Sequence, residues 1–144
     1  MTPRFFIVIA FALLAGSLSA FSQFSPTADA IIGRWQNAEK DGRFEVFKKD
    51  NKYYGRLIWG TGGDSLDVKN PNPALRKRRV IGLLLLSDFV YEGKGKWVDG
   101  TIYDPREGKT YSCKLTLSKP GEMQVRGFVG ISLLGRTEVW TRIN

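Results

Sequence analysis

The sequence predicts an all-β domain, a single antiparallel up-and-down β-barrel of about eight strands. Three observations predict it. Apolar and polar residues alternate with a period of two through most of the chain. From Thr110 to Leu117, for example, Tyr111, Cys113, Leu115 and Leu117 share one face, and Thr110, Ser112, Lys114 and Thr116 share the other. That is the pattern of a strand with one buried and one wet face. Compact turn signals separate such runs, and no helical pattern is long enough to cover a sheet. Short antiparallel strands leave edges that a closed barrel removes, and hairpins between sequential neighbours favour an up-and-down order over a Greek key.

In chain order, Arg4 precedes an uncharged apolar run from Phe5 to Ala15, and small residues at Ala20 and Ser22 follow. This is the layout of a secretory signal peptide over residues 1–22, with cleavage expected before Gln23 and a cut after Ala20 as the second choice. The run is too short for a transmembrane anchor, which needs about 20 apolar residues. Residues 23–30 hold Ser, Thr and Pro without a period and read as a short mature tail; the barrel domain is expected over 31–144. Phe44 and Val46 alternate with Arg43 and Glu45, Asp50-Asn51 marks a turn, and Tyr53 to Trp59 alternate again.

Residues 60–79 form the one long irregular stretch. Asn70-Pro71-Asn72-Pro73 excludes a regular helix or central strand there, because proline lacks the N–H and restricts its predecessor. A single helical turn is expected from Pro73 through Arg76. The apolar run Val80 to Leu86 is assigned to a strand on length and context. Lys96 to Tyr103 reads as a strand and Asp104-Pro105-Arg106-Glu107-Gly108 as a turn. After the alternating strand through Leu117, Lys119-Pro120-Gly121-Glu122 turns into Met123 to Val129, and Thr137 to Ile143 closes the chain.

Composition narrows the chemistry. A single cysteine, Cys113, forms no internal disulfide and reads as a small buried hydrophobe. No histidine is present, which removes Ser-His and Cys-His dyads and histidine metal sites; no cofactor or metal is implied. The net charge of +8 suits anionic partners such as phospholipid or lipopolysaccharide head groups and acidic glycans, or serves solubility alone. Nucleic acid is the weakest of these partners for an exported protein, and no helix-turn-helix or zinc-finger pattern is present. No segment of the mature chain is apolar enough to span a membrane as a helix.

Gly33-Arg34-Trp35 resembles the Gly-x-Trp signature of lipocalin-type barrels. In those barrels a basic residue of the last strand lies over the tryptophan and closes one end. Arg142 is the candidate partner of Trp35, with Arg136 second. A broader resemblance covers nearly all of the mature chain. Gly33-x-Trp35, Gly55-x-x-Ile58-Trp59, Asp67-x-Lys69-Asn70-Pro71-x-Pro73-x-Leu75-Arg76, Gly82-Leu83, Ile102-Tyr103-Asp104-Pro105, Gly108-Lys109-Thr110-Tyr111, Arg126-Gly127 with Gly130, and Leu134-Gly135-Arg136-Thr137 through Trp140-Thr141-Arg142 resemble the bacterial domain-of-unknown-function 2147 family. The resemblance implies an exported lipocalin-like barrel without an established activity. The chain departs from the family's usual pattern at Asn72, where an acid is expected, at Arg79, where a proline is expected, and in lacking a cysteine pair.

Candidate ligand-binding residues fall in two places. One is the long loop with Asp67, Lys69, Asn70 and Arg76, where Arg76 is expected to be the main polar recognition group at the rim of a pocket. The other is the corner with Tyr103, Asp104, Glu107, Lys109 and Tyr111. Polar side chains on rim loops orient a ligand's polar group; the same residues also cap turns and pin loops. Three readings follow. The first is a non-enzymatic envelope protein that binds a small amphipathic or anionic molecule in the barrel or at its mouth. The second is an interaction module that docks on an anionic envelope surface or a protein partner through basic loops such as Arg76-Lys77-Arg78-Arg79. The third is a hydrolase that uses carboxylates such as Asp104 and Glu107.

Overall fold

The computed structural model describes residues 23–144; the expected signal peptide over 1–22 lies outside the described residues. Eight strands form a closed antiparallel barrel in sequential order. They are β1 (Gly33–Gln36), β2 (Gly42–Lys49), β3 (Lys52–Gly60), β4 (Leu84–Gly93), β5 (Lys96–Asp104), β6 (Lys109–Lys119), β7 (Glu122–Phe128) and β8 (Arg136–Ile143). β1 pairs with β8, with Trp35 opposite Arg142, and this seam removes the last edge. At one end of the barrel the connections are tight. Asp50 and Asn51 both take positive φ, the geometry of a two-residue hairpin turn whose twist matches its strands. Short links at Lys94-Gly95 and Pro120-Gly121 do the same work. The longer connections, over 37–41, 61–83, 105–108 and 129–135, gather at the opposite end.

The tight-turn end is closed. Residues 23–30, read from the sequence as a short mature tail, carry the start of a 3-10 turn, Ala28–Ile31, that plugs the barrel with Ile31 fully buried. Buried ring donors hold it: Trp35 Nε1 donates to the Ile31 carbonyl at 2.9 Å and Trp97 Nε1 to the Ala28 carbonyl at 3.0 Å. Tyr53 donates to Asp29 at 2.5 Å and Tyr91 to the Pro26 carbonyl at 2.8 Å. Above the plug the inward faces of the strands fill the barrel with Trp35, Val46, Tyr53, Leu86, Phe89, Trp97, Leu115 and Met123. Cys113 is buried among them at 1% exposure.

Arg142 seals the seam. Its guanidinium lies 4.3 Å from the Trp35 ring centroid, and it donates to the Ile32 carbonyl at 3.0 Å and to the Ala30 carbonyl. Gly33 explains the first residue of the Gly-x-Trp motif. Its φ is +138°, and a Cβ there would sit 2.5 Å from Arg142 Nη1, so only glycine admits the arginine. Arg136, the second candidate, lies at the other end of β8, opposite Gly127.

One strand assignment needs correction. The apolar run Val80 to Leu86 is not a strand throughout: β4 begins at Leu84, and Val80 to Leu83 form a turn. The Val80 N–H bonds back to the Ser65 carbonyl, Leu83 N–H to Val80, and Gly82 takes a φ of +96°. Val80, Ile81 and Leu83 are apolar because they pack on the core from outside the sheet. Period could not separate the two uses of an apolar run. The helical turn expected at Pro73 is a 3-10 turn, Pro73–Leu75, in which the Ala74 N–H is capped by the Asn72 side chain.

Candidate functional site

The loop end of the barrel holds a cavity of about 550 Å³. Its walls follow from strand alternation: Phe44 of β2, Leu57 of β3, Leu85 of β4, Ile102 of β5 and Trp140 of β8 face inward near the mouth, and Ile81 covers them from the long loop. The rim is polar, with Asn37, Asp41, Lys69, Asp104, Arg106 and Glu138. Below, the core closes the barrel, so the cavity occupies the mouth and not the full interior.

Trp140 forms part of the cavity wall. It is 2% exposed and stacked on Phe44, with ring centroids 4.0 Å apart. Its Nε1 has no hydrogen-bond partner among the described residues. Buried donors are almost always paired, and Trp35 and Trp97 follow that rule in the same barrel. Trp140 breaks it in a cavity wall.

The long loop is held in place by a buried carboxylate. Asp67 is fully buried and accepts from Tyr103 Oη at 2.5 Å, Asn70 Nδ2 at 2.8 Å and Arg78 Nη2 at 3.3 Å. Burial alone would raise its pKa, but the hydrogen bonds from Tyr103, Asn70 and Arg78 and the Arg78 charge outweigh it and hold the carboxyl below its usual value. Burial and the Asp67 partner push the Tyr103 hydroxyl up to about 12. The loop docks on the β5–β6 turn at Gly108, whose φ is +68° and whose missing Cβ makes room for the Lys69 carbonyl.

The structure separates the sequence-predicted residues into two groups. Asp67, Asn70 and Tyr103 converge in the buried cluster, and Arg76 joins it from outside: its Nε donates to the Asn70 carbonyl at 2.8 Å. Arg76 is exposed and lies outside the cavity lining. Tyr111 also lies outside the lining and donates to Glu107 at 2.5 Å. Tyr103 and Asp104 do line the cavity. Sequence reasoning missed Phe44, Leu57, Ile102 and Trp140 as site residues. Their signal was the inward phase of each strand at its mouth end, which becomes a site only once the barrel is closed.

A family model described as "Uncharacterized protein conserved in bacteria (DUF2147)" matches residues 33–142, from Gly33 at the Gly-x-Trp motif to the Arg142 that covers it. The chain belongs to the DUF2147 family. A solved structure described as protein HP1028 from the human pathogen Helicobacter pylori, which belongs to the lipocalin family, superposes with a TM-score of 0.72. The two chains are 28% identical over 78% of this chain and 82% of that one. No curated protein matches this chain. The DUF2147 barrel is thus lipocalin-like in fold.

Electrostatics at the mouth of this DUF2147 protein are mostly settled internally. Asp104 accepts the Arg106 backbone N–H at 2.9 Å and its guanidinium at 3.1 and 3.2 Å. Asp41 is tied to Asn37, and Glu138 accepts the Ala38 N–H at 2.9 Å. Lys69 lines the cavity and makes no ion pair among the described residues. The mouth therefore offers an apolar chamber walled in part by Trp140 and, among the described residues, one cation at the rim without an ion pair.

Proposed function

We propose that the barrel binds a small amphipathic molecule at its mouth, with the apolar body against Phe44, Leu57, Ile102 and Trp140 and a polar or anionic head near Lys69. The observation that carries this reading is the Trp140 Nε1 donor, buried without a partner among the described residues in the wall of a ligand-sized cavity. Leaving such a donor unpaired costs about 1–3 kcal/mol, which a ligand acceptor recovers when binding shifts the ring edge into the chamber. The cavity volume of about 550 Å³ lies in the usual range for small-molecule sites. The rim carboxylates Asp41, Asp104 and Glu138 are each engaged by a neighbouring donor, which supports binding over acid–base hydrolysis. The charged and apolar N-terminal segment supports export, so the ligand is one met in the cell envelope or outside the cell.

Native mass spectrometry of the purified protein tests the reading. The expected result is a retained molecule of a few hundred daltons that is lost in Ile102→Trp, where the added ring fills the chamber. A folded Ile102→Trp variant that retains the same adduct would place the ligand elsewhere and defeat the proposal.

A further inference from the structure

The connection between β7 and β8 places four aliphatic side chains in solvent within six residues. Val129, Ile131, Leu133 and Leu134 are 70, 60, 84 and 77% exposed. Single exposed aliphatics are ordinary, but a contiguous patch marks an interaction site. The loop is built to present them. Arg126 Nε donates to the Ser132 carbonyl at 2.7 Å, its Nη2 to the Leu133 carbonyl at 3.4 Å and its Nη1 to Thr137 at 2.7 Å. Lys114 Nζ reaches Ser132 Oγ at 3.3 Å. These bonds hold a 3-10 turn, Ser132–Leu134, and satisfy its backbone from the barrel side. The leucines are left pointing away.

The loop's own segment is cationic, and the nearest acids, Asp99 beside Lys114 and Ser132 and Glu138 further along β8, lie on the barrel wall and not on the tip. No acidic residue occurs from Met123 to Thr137, while Arg126 and Arg136 flank the aliphatic stretch and Lys114 lies beneath it. We propose that this loop is a membrane wedge that seats the barrel on an anionic lipid surface, with the aliphatic side chains in the acyl boundary and the basic residues at head-group level. Charge complementarity argues for lipid. So does the form of the patch, a protruding aliphatic tip with no aromatic or arginine anchor at its apex, unlike the pocket-filling anchors of protein interfaces. The wedge lies at the cavity end of the barrel, the same end as the long loop with its exposed Leu66 and Val68 and the basic run from Arg76 to Arg79, which springs from the opposite wall. Docking there brings the mouth next to a lipid phase, the natural source of an amphipathic ligand. The wedge does not line the cavity, so this inference stands apart from the ligand-binding proposal.

Co-sedimentation of the purified protein with vesicles tests it, comparing phosphatidylcholine alone with phosphatidylcholine containing one quarter phosphatidylglycerol. The protein is expected to sediment with the anionic vesicles, poorly with the neutral ones, and less as salt is raised. Leu133→Ser with Leu134→Ser is expected to weaken binding at least about thirtyfold, and Arg136→Gln about threefold to fivefold. Both variants are expected to melt like the parent, because none of the three side chains is buried. Ile102→Trp, which blocks the cavity, is expected to sediment normally, so the two proposals fail separately. Absence of binding to anionic vesicles would overturn the proposal, as would equal binding by the double-serine variant. A dimer that the double-serine variant dissolves, with vesicles ignored by the parent, would also overturn it and make the loop a protein contact.

Discussion

Replacing Arg142 with methionine removes the seal between the first and last strands while keeping an unbranched side chain over Trp35. The lost interactions can be summed from the structure. The guanidinium lies 4.3 Å from the Trp35 centroid, an arrangement worth about 0.5–2 kcal/mol depending on desolvation. Burial lowers the pKa of Arg142, the mark of a charge taken partly out of water. Its two hydrogen bonds hold the Ala30 and Ile32 carbonyls of the plug, and bonds to charged donors contribute about 1.5–3 kcal/mol each. Ile32 is partly exposed, so water replaces much of its share. The loss then comes to about 3 kcal/mol, or a fall of roughly 9–15 °C in melting temperature for a domain of this size. Arg142→Lys is expected to fall between the two, because an ammonium cannot stack flat and reach both carbonyls. Thermal unfolding followed by circular dichroism measures both. A drop below about 2 °C in Arg142→Met would refute the reasoning.

Three further outcomes are expected. Arg76→Ala should lower stability by about 1 kcal/mol through loss of its bond to the Asn70 carbonyl, read by thermal melts, and should leave ligand retention unchanged; a loss of ligand without a loss of stability would make Arg76 a recognition group. The Asp67 carboxyl is lower in the folded than in the unfolded state, so its contribution is complete above the unfolded value of about 4 and is lost as pH falls through the folded value. Asp67→Asn should therefore cost roughly 2–4 kcal/mol at neutral pH and flatten the acid limb of a melting-temperature profile, and a parallel acid limb would contradict this. Cys113, whose thiol burial pushes up to about 12, should resist iodoacetamide at pH 8, about the pKa of a free thiol, until the protein unfolds; rapid native labelling, followed by mass spectrometry, would contradict its burial.

The strands were legible wherever one face is wet and the other buried, as in β6, where Cys113, Leu115 and Leu117 alternate with polar residues. Legibility failed at Val80 to Leu83, where apolar residues cover the mouth as a turn, because an unbroken apolar run has no period to read. It failed again at Ala28–Ile31, whose order comes from Tyr53, Tyr91 and Trp97, far away in sequence. For the site, Asp67, Asn70 and Tyr103 were recognisable as loop chemistry, but not that they bond to one another beneath the loop. Arg76 stood out in the sequence for its five donors, and the structure adds the Asn70 carbonyl that one of them meets. Trp140 was invisible as a site residue for a related reason. Trp35, Trp97 and Trp140 are alike in sequence, and only closure of the barrel shows which ring nitrogen is left without a partner.

That ring nitrogen offers the most direct test of the ligand-binding proposal. Trp140→Phe keeps the stack on Phe44 and removes only the N–H, and its effect can be read by titrating parent and variant with dansyl-aminoundecanoic acid, a fluorescent anionic amphiphile, alongside melts of the apo proteins. The expected result is saturable binding to the parent, about threefold to tenfold weaker binding to the variant, as for one lost hydrogen bond, and an apo melting temperature that is unchanged or higher because an unpaired buried donor has gone. Equal affinity in the two proteins, or no saturable binding to the parent, would contradict the account.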